Sequence, residues 1–277
     1  MQNSLPLNPA FCGSRNSSSF TFSNRSQWTG LQGAPRTQTL SIHTVLKNEN
    51  IAPGLFITNE QIGISKSMGV FGNIAYRTRI RKGTFSLGLA SGVFINTNSW
   101  QDVITTTGED PSIPMHGQKV VIPDASFGTY YFTKNYFVSL SVPFLLSHSV
   151  EVSSGNISID NNFENYHLHL AGGYIHKLNR QWSLRPSFLL KHQKAFGPQI
   201  DINALVEYKK TVVAGVSYRS QDAILFLCKY NISRQFGLGY TYDFTLSDLS
   251  IVSKGSHEIT LQYDLRYNTR AANPKFF

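Results

Sequence analysis

The chain has 277 residues and a formal net charge of +9, yet only 15% of its residues are charged while 13% are aromatic. Soluble domains usually contain about a quarter of charged residues, so this composition suits a surface that does not meet water alone. No stretch reaches the roughly 18 consecutive apolar residues of a spanning helix, which excludes a helical membrane protein. The basic residues follow no nucleic-acid motif, so nucleic acid is not an expected partner.

The main pattern is an alternation of apolar and polar side chains, repeated roughly fourteen times between Phe20 and Tyr267. In the run 200–208, Ile200 and Ile202 belong to the apolar phase and Asp201 to the polar phase. A period of two is that of a β-strand with one apolar face. Because only helices and closed barrels satisfy all backbone groups in a bilayer, the repeat predicts an all-β transmembrane antiparallel β-barrel of about 14 strands, with 12–16 possible.

The connections between the predicted strands fall into two classes, as bacterial outer-membrane barrels require. Short turns are expected on the periplasmic side, whereas the segments Thr97–Asp124, Leu146–Glu164 and Thr245–Gly255 are expected to be external loops. Ser220-Gln221 departs from this rule because it is external but short. The predicted strands are Phe20–Trp28, Thr37–Val45, Ala52–Asn59, Gly69–Arg81, Thr84–Asn96, Ala125–Thr133, Tyr136–Leu145, Asn165–Leu178, Trp182–His192, Gln199–Tyr208, Thr211–Arg219, Asp222–Tyr230, Gln235–Phe244 and Ser256–Tyr267.

An even strand count places both termini on one side, and nothing interrupts the repeat to mark a domain boundary. We therefore predict a periplasmic N-terminal segment at 1–18, one barrel at 19–267 and a periplasmic C-terminal tail at 268–277. The N-terminal segment is expected either to enter the lumen as a partial plug or to fray. Met1–Leu5 does not resemble a signal peptide, and since an outer-membrane barrel must be exported, we expect the numbering to begin inside a mature or trimmed protein.

The polar phase carries charged side chains that would face a lumen too wide for side chains alone to fill. Pairing of these charges across the lumen is one interpretation, and a selective ion or solute pathway is the other. His167 and His169 share a strand face, but no further ligands complete a metal site. No catalytic constellation is recognisable and no cofactor is expected. Aromatic residues near the ends of the runs predict interfacial girdles, namely Trp182, Tyr208, Tyr218, Tyr230, Tyr242 and Tyr267.

Several blocks near the N-terminus are more specific than the strand pattern. They are Asn8-Pro9-Ala10-Phe11-Cys12-Gly13, Arg25-Ser26-Gln27-Trp28-Thr29-Gly30 and Gly33-Ala34-Pro35-Arg36-Thr37. With later blocks such as Gly255-Ser256-His257-Glu258-Ile259, they resemble the PorP/SprF family of the Bacteroidetes type IX secretion system over the whole chain. Cys12 departs from the small residue usual in the family, and the Gln-rich start is largely missing.

The resemblance implies a non-enzymatic outer-membrane barrel that binds, helps to export or anchors at the cell surface a dedicated adhesin-like cargo with a type B C-terminal domain. It also implies contacts with periplasmic type IX secretion components, and gliding motility is associated with such adhesins. Lipid of the outer membrane is the other expected partner. A passive porin-like channel is the alternative, and a barrel enzyme is a third interpretation for which no residue can be named.

Closure of a barrel consumes the strand edges, so a cargo domain is expected to dock on external loops. In the turn 30–37, Gly30 and Gly33 admit backbone angles closed to other residues, and Pro35 fixes φ. The long loops contain apolar and aromatic side chains that suit an interface core. The candidate partner-binding residues are therefore Trp28, Gly30, Gly33, Pro35, Trp100, Ile104, Ile113, Val120 and Phe163.

Overall fold

The computed structural model describes residues 3–46, 49–98, 118–146, 150–153, 156–159, 166–193 and 197–265. Within these ranges, 14 antiparallel strands form one closed wall, which confirms the predicted fold class and strand count. No helix in the described residues is long and apolar enough to cross a membrane.

The strands follow one another around the wall in chain order. A two-stranded hairpin that is not part of the wall occurs in the chain between the seventh and the eighth wall strand. The elements Leu168–Tyr174 and His176–Lys177 are separated only by Ile175 and count as one strand of the wall. The bounds are β1 (Ser18–Ser26), β2 (Arg36–His43), β3 (Ile51–Ile62), β4 (Ser65–Ile80), β5 (Gly83–Asn98), β6 (Gln118–Phe132), β7 (Tyr136–Val142), β8 (Val150–Ser153), β9 (Asn156–Ile159), β10 (Leu168–Tyr174), β11 (His176–Lys177), β12 (Trp182–Gln193), β13 (Gly197–Tyr208), β14 (Val212–Arg219), β15 (Ala223–Asn231), β16 (Phe236–Thr245) and β17 (Ser256–Leu265).

Two pairings close the wall. Strand β17 pairs with β1, where Ser19 lies opposite Asp264, and β10 pairs with both β7 and β12. The pairing of β12 with β10 and β11 is interrupted near Pro186. The last pair with β10 is Gly173–Ser187, and pairing resumes with β11 at His176–Leu184. Proline has no N–H to donate to a neighbouring strand, so the predicted single run Asn165–Leu178 is divided at this point.

The strands also reach further than the alternation indicates. Asn98 of β5 pairs with Gln118 of β6, so both strands extend into the predicted loop Thr97–Asp124. Strands β8 and β9 form a hairpin inside the predicted loop Leu146–Glu164. Main-chain hydrogen bonding does not require alternating side chains, which is why the sequence pattern underestimates these extensions. The predicted tail 268–277 lies outside the described residues.

The two faces of the wall are reversed relative to a soluble protein. On β1, Ser19 is fully buried, whereas Phe20 and Phe22 are 37% and 39% exposed. The same holds on β17, where Gln262 is buried and Leu261 is exposed. An apolar outside and a polar inside are stable only where lipid surrounds the wall.

Candidate functional site

The N-terminal residues lie inside the wall. They precede β1 at the end of the barrel that carries the short turns, which we name the turn end, and the opposite end is the loop end. We name residues 3–17 the luminal segment. Asn8 donates from Nδ2 to the Thr129 carbonyl at 3.0 Å and to the Ser139 hydroxyl at 2.8 Å. The hydroxyls of Ser86 and Ser141 donate to carbonyls of the segment at 2.8 and 2.7 Å. Side chains of β5 and β7 and the β6 backbone therefore hold the segment.

The centre of the luminal segment is a short 3-10 helix, Pro9–Phe11. Asn8 caps it by accepting from the Ala10 N–H at 2.8 Å, and Pro9 follows at a first helical position, where its missing N–H costs nothing. Phe11 packs against Tyr130 of β6 with ring centroids 4.4 Å apart. The block Asn8–Gly13 of the sequence thus forms a buried turn with its own internal cap.

Glycines in the wall make room for this turn. A Cβ at Gly88 of β5 would overlap the Ala10 backbone, and one at Gly128 of β6 would overlap the Asn8 side chain. A Cβ at Gly54 would lie 2.6 Å from the Cys12 sulfur. Backbone approach this close is possible only where a side chain is absent, so these glycines are matched to the luminal segment.

Polar contacts continue along the last residues of the segment. Arg15 forms an ion pair with Asp264 at 3.4 Å, and Asn16 accepts from Arg77 at 2.7 Å. The Gly13 N–H donates to His43 at 3.1 Å. Burial raises the pKa of the Cys12 thiol to about 12, so this thiol remains neutral at physiological pH.

Other charged side chains of the lumen pair with one another across neighbouring strands. Arg25 reaches both Asp243 and Glu258, at 2.5 and 3.2 Å. Arg219 reaches Asp201 at 3.1 Å. The luminal charges are thus paired, as one interpretation of the sequence predicted, but between strands one or two apart along the wall rather than across the lumen. Among the described residues, no group of three or more His, Cys, Asp or Glu side chains could hold a metal ion.

At the loop end of the barrel, the connection between β1 and β2 forms main-chain hydrogen bonds with the connections on either side of it. The Thr29 N–H donates to the Gly255 carbonyl at 2.8 Å, and the Lys254 N–H donates back to the Thr29 carbonyl at 2.8 Å. On the other side, the Gly63 N–H donates to the Gly33 carbonyl at 2.8 Å. We name residues 27–35, Gly63 and residues 246–255 together the loop platform.

The loop platform contains four of the sequence-predicted site residues. Gly30 and Gly33 have φ of 99° and 73°, the left-handed region that favours glycine. Trp28 also has a positive φ, 44°, and is half-buried, while Pro35 is buried. The structure brings these four together. Val120 is half-buried and belongs to β6 rather than to a loop, and Trp100, Ile104, Ile113 and Phe163 lie outside the described residues.

The sequence interpretation missed the apolar side chains that the loop platform exposes. Ile251, on a short 3-10 helix, is 86% exposed, and Val252 and Leu31 of the platform are exposed as well. The available signal was a short loop, 246–255, in which four apolar residues are interspersed among polar ones instead of forming a strand pattern. Such side chains are candidates for an interface because water solvates them poorly.

Aromatic side chains border the outer surface near both ends of the wall. At the turn end, Trp182 and Tyr208 lie 4.5 Å apart between ring centroids. Tyr218 is exposed near the loop end. These positions fit the girdles that barrels place at membrane interfaces. Tyr267 lies outside the described residues.

A closed antiparallel wall with an apolar exterior and a charged interior defines an outer-membrane β-barrel, which is the class to which this protein belongs. Solved structures share the architecture. The chain is similar to the CymD monoaromatic hydrocarbon channel, with 13% identity over 98% of this chain and 94% of that chain and a TM-score of 0.56. It is also similar to the TodX deltaS2S3 mutant monoaromatic hydrocarbon channel, with 12% identity over 96% and 94% and a TM-score of 0.54. At these identities, the likeness concerns the fold alone.

The search of curated proteins finds no match for this chain. The family model described as "Type IX secretion system membrane protein PorP/SprF" matches residues 1–263. The chain therefore belongs to the PorP/SprF family, and the resemblance carried by the N-terminal blocks is confirmed.

Proposed function

We propose that this barrel binds a folded type B C-terminal domain of a secreted adhesin-like protein on its loop platform, and that it helps to export that cargo or to hold it at the cell surface. Family membership supports a role in type IX secretion. The observation that carries the proposal is the loop platform, which combines main-chain hydrogen bonds to two neighbouring connections with exposed Ile251 and Leu31. A held, partly apolar surface loses little entropy when a partner binds.

The closed wall favours docking on connections. Every strand of the described wall is paired on both sides, so a cargo strand has no edge to which it could be added. In the proposed orientation the loop platform is external, and the short turns and both termini are periplasmic. Periplasmic components of the secretion system are then partners for the turn end. The proposed role involves no catalysis and no cofactor.

The luminal segment argues against the alternative of a passive porin. It packs against the inside of β5, β6 and β7, and a cavity of about 40 Å³ remains between it and β12. This volume holds a few water molecules at most, not a solute. The segment therefore narrows the lumen on the side of β5, β6 and β7, and a barrel narrowed in this way is expected to conduct less than an open porin.

The experiment compares cargo retention between matched variants. The test variant is Ile251→Asp with Leu31→Asp on the loop platform, and the control is Ile232→Asp, an exposed isoleucine in the β15–β16 turn at the other end. Proteins that co-purify from detergent-solubilised membranes are identified for each. We expect loss of a secreted cargo from the platform variant alone, because a buried aspartate would disfavour an apolar interface. Equal retention in both would contradict docking on the platform.

A second experiment addresses the predicted loop anchors outside the described residues. A short Gly-Ser linker replaces 108–117 in one variant and 153–162 in another. If the two long loops extend the docking surface, these replacements, the first of which removes Ile113, weaken surface retention of the cargo while the barrel remains in the membrane. Unchanged retention in both, together with unchanged retention in the platform variant, would place the docking surface at the turn end.

A further inference from the structure

Five of the six connections at the turn end of the barrel carry basic side chains and no acidic one; the sixth, between β2 and β3, contains Glu49, which pairs with Arg79 at 3.0 Å. Each of the short turns that follow β4, β6, β11, β13 and β15 contains Lys or Arg, and none of these turns contains Asp or Glu. All of the basic side chains in these turns are exposed. We name them the turn rim: Arg81, Lys82, Lys134, Arg180, Lys209, Lys210 and Arg234.

The two longest connections at the other end have the opposite charge. In sequence, the connection 99–117 between β5 and β6 contains three acidic residues and neither Lys nor Arg. The connection 143–167 between β7 and β10 also contains three acidic and no basic residues. The basic residues of this chain are therefore not a uniform coat. Seven of them lie in five turns of one end, where they create a positive potential that attracts anions.

The turn rim lies beside the aromatic girdle of the turn end. The Lys209 ammonium lies 5.1 Å from the centre of the Tyr208 ring, and the Tyr208 ring packs at a tilt of 41° against Trp182. Lys134 lies in the turn next to Tyr136, whose ring is exposed on the outer surface. Aromatic girdles mark the headgroup level of a membrane, so the basic side chains next to them are within reach of lipid phosphates.

Backbone geometry at two of these turns is a second sign that charge is preferred there. Lys209 and Lys210 have φ of 48° and 59°, and Arg81 has 55°. Arg81 lies in a two-residue turn, and Lys209 and Lys210 lie in a three-residue turn. Gly, Asn and Asp adopt a positive φ at less cost than Lys or Arg. This chain places lysines and an arginine where the backbone alone would favour Gly, Asn or Asp, none of which is basic.

From these observations we propose that the turn rim binds the anionic headgroups of phospholipids in the leaflet around that end of the barrel. The basic turns follow one another around the wall from β4 to β16 and all border the lipid-facing surface, as an encircling leaflet requires. A single acidic protein docked on one side would contact only some of them. This lipid-binding surface is separate from the loop platform and does not depend on the proposed cargo.

The test uses the full-length barrel in detergent with phosphatidylglycerol as the anionic probe and phosphatidylcholine as the neutral one. Native mass spectrometry measures how many of each lipid remain bound. The rim variant combines Lys209→Gln, Lys210→Gln and Arg234→Gln. We expect its affinity for phosphatidylglycerol to fall on the order of a hundredfold, because each basic residue near an anionic surface strengthens binding about fivefold. Phosphatidylcholine binding should not change.

The matched control removes the same charge from the loop end, through Arg36→Gln, Lys66→Gln and Lys254→Gln, all of which are exposed. Heat-modifiable migration on gels shows that both variants are folded. Preference for phosphatidylglycerol that survives in the control and disappears in the rim variant supports the proposal. An equal loss in both would show an effect of net charge alone. A rim variant that keeps its lipid but loses an acidic co-purifying protein would identify a protein partner instead, and either result overturns the proposal.

Discussion

Asn8 and Ser139 are joined by a hydrogen bond inside the barrel, in which the Asn8 amide donates to the serine hydroxyl at 2.8 Å. The bond connects the residue just before the 3-10 helix with the middle of β7. Asn8 is almost completely buried and also caps the helix, so one side chain both shapes the luminal segment and attaches it to the wall. Through this side chain the luminal segment is attached to both β6 and β7 inside the wall.

The first prediction concerns the fit between Gly88 and the luminal segment. Gly88→Val should expel the segment, because even a Cβ at this position overlaps the Ala10 backbone. We expect steady ion conductance in planar bilayers from this variant and little from the wild type. Gly72→Val is the matched control, since a Cβ there lies 3.9 Å from its nearest neighbour, the Ser91 carbonyl oxygen. A Gly88→Val barrel as closed as the wild type would show that the segment does not seal the lumen.

Reactivity of Cys12 provides an independent measure of the same state. In a Cys228→Ser background, a water-soluble maleimide should label Cys12 slowly in the folded barrel, since the thiol is buried and its pKa is raised to about 12. Unfolding should make labelling rapid. Adding Gly88→Val should do so in the folded barrel as well. Rapid labelling of the folded Cys228→Ser protein would contradict the buried position of Cys12.

The same pKa predicts how the stability depends on pH. The folded thiol has a raised pKa of about 12 while the ordinary value is 9.0, so the unfolded state loses its proton first. The stabilisation from the neutral thiol is complete below pH 9.0 and is lost as the pH rises towards about 12. Cys12→Ala should flatten this part of a curve of unfolding free energy against pH. An unchanged curve would assign the alkaline loss to other groups.

Asp264 should control the position of Arg15. Asp264→Asn removes the carboxylate that pairs with the buried Arg15 guanidinium, and loss of one partner of a buried pair costs about 3–5 kcal/mol. We expect the luminal segment to leave the wall and trypsin to cleave after Arg15 in the otherwise folded barrel. Asp222→Asn, which affects a more exposed pair with Arg219, should leave Arg15 protected. Equal protection in both variants would mean that Asp264 does not hold the segment.

Neighbouring residues of β13 test which face meets lipid. Ile202 is 58% exposed on the outer face and Asn203 is buried in the lumen. Ile202→Arg should cost about 2–4 kcal/mol in the free energy of unfolding in lipid vesicles, because a charge at mid-membrane loses its hydration. Asn203→Arg should cost less, since Asp201 and Glu207 lie on the same luminal face. Equal costs would contradict the assignment of the two faces.

The strand pattern was sufficient for the barrel but not for all of its boundaries. The alternation around Ile200 and Ile202 assigns faces correctly because burial of every second side chain is a property of each strand alone. The extension of β5 and β6 to the Asn98–Gln118 pair could not be predicted in this way. It depends on hydrogen bonds between two strands, and these place no requirement on the side chains that the sequence displays.

Only part of the candidate site could be predicted from the sequence, and the reason is similar. Gly30, Gly33 and Pro35 are identifiable from sequence because a tight turn restricts which residues can occupy it. The exposed Ile251 was missed, since its role in the platform depends on the hydrogen bonds between its own loop and Thr29. The apolar residues of one loop do not reveal which other loop is packed against that loop in the folded protein.

By itself, the sequence determined the class of fold, the face of each main strand and the family, because periodicity and short motifs are local properties of the chain. Only the tertiary structure decided that the block Asn8–Gly13 lies in the lumen and that the turn at Thr29 is attached to Gly255. Gly88 makes room for Ala10, and Ser139 binds Asn8, although each pair is far apart in sequence. Such matches arise when the wall closes and brings distant strands around the same small volume, so no local pattern could contain them.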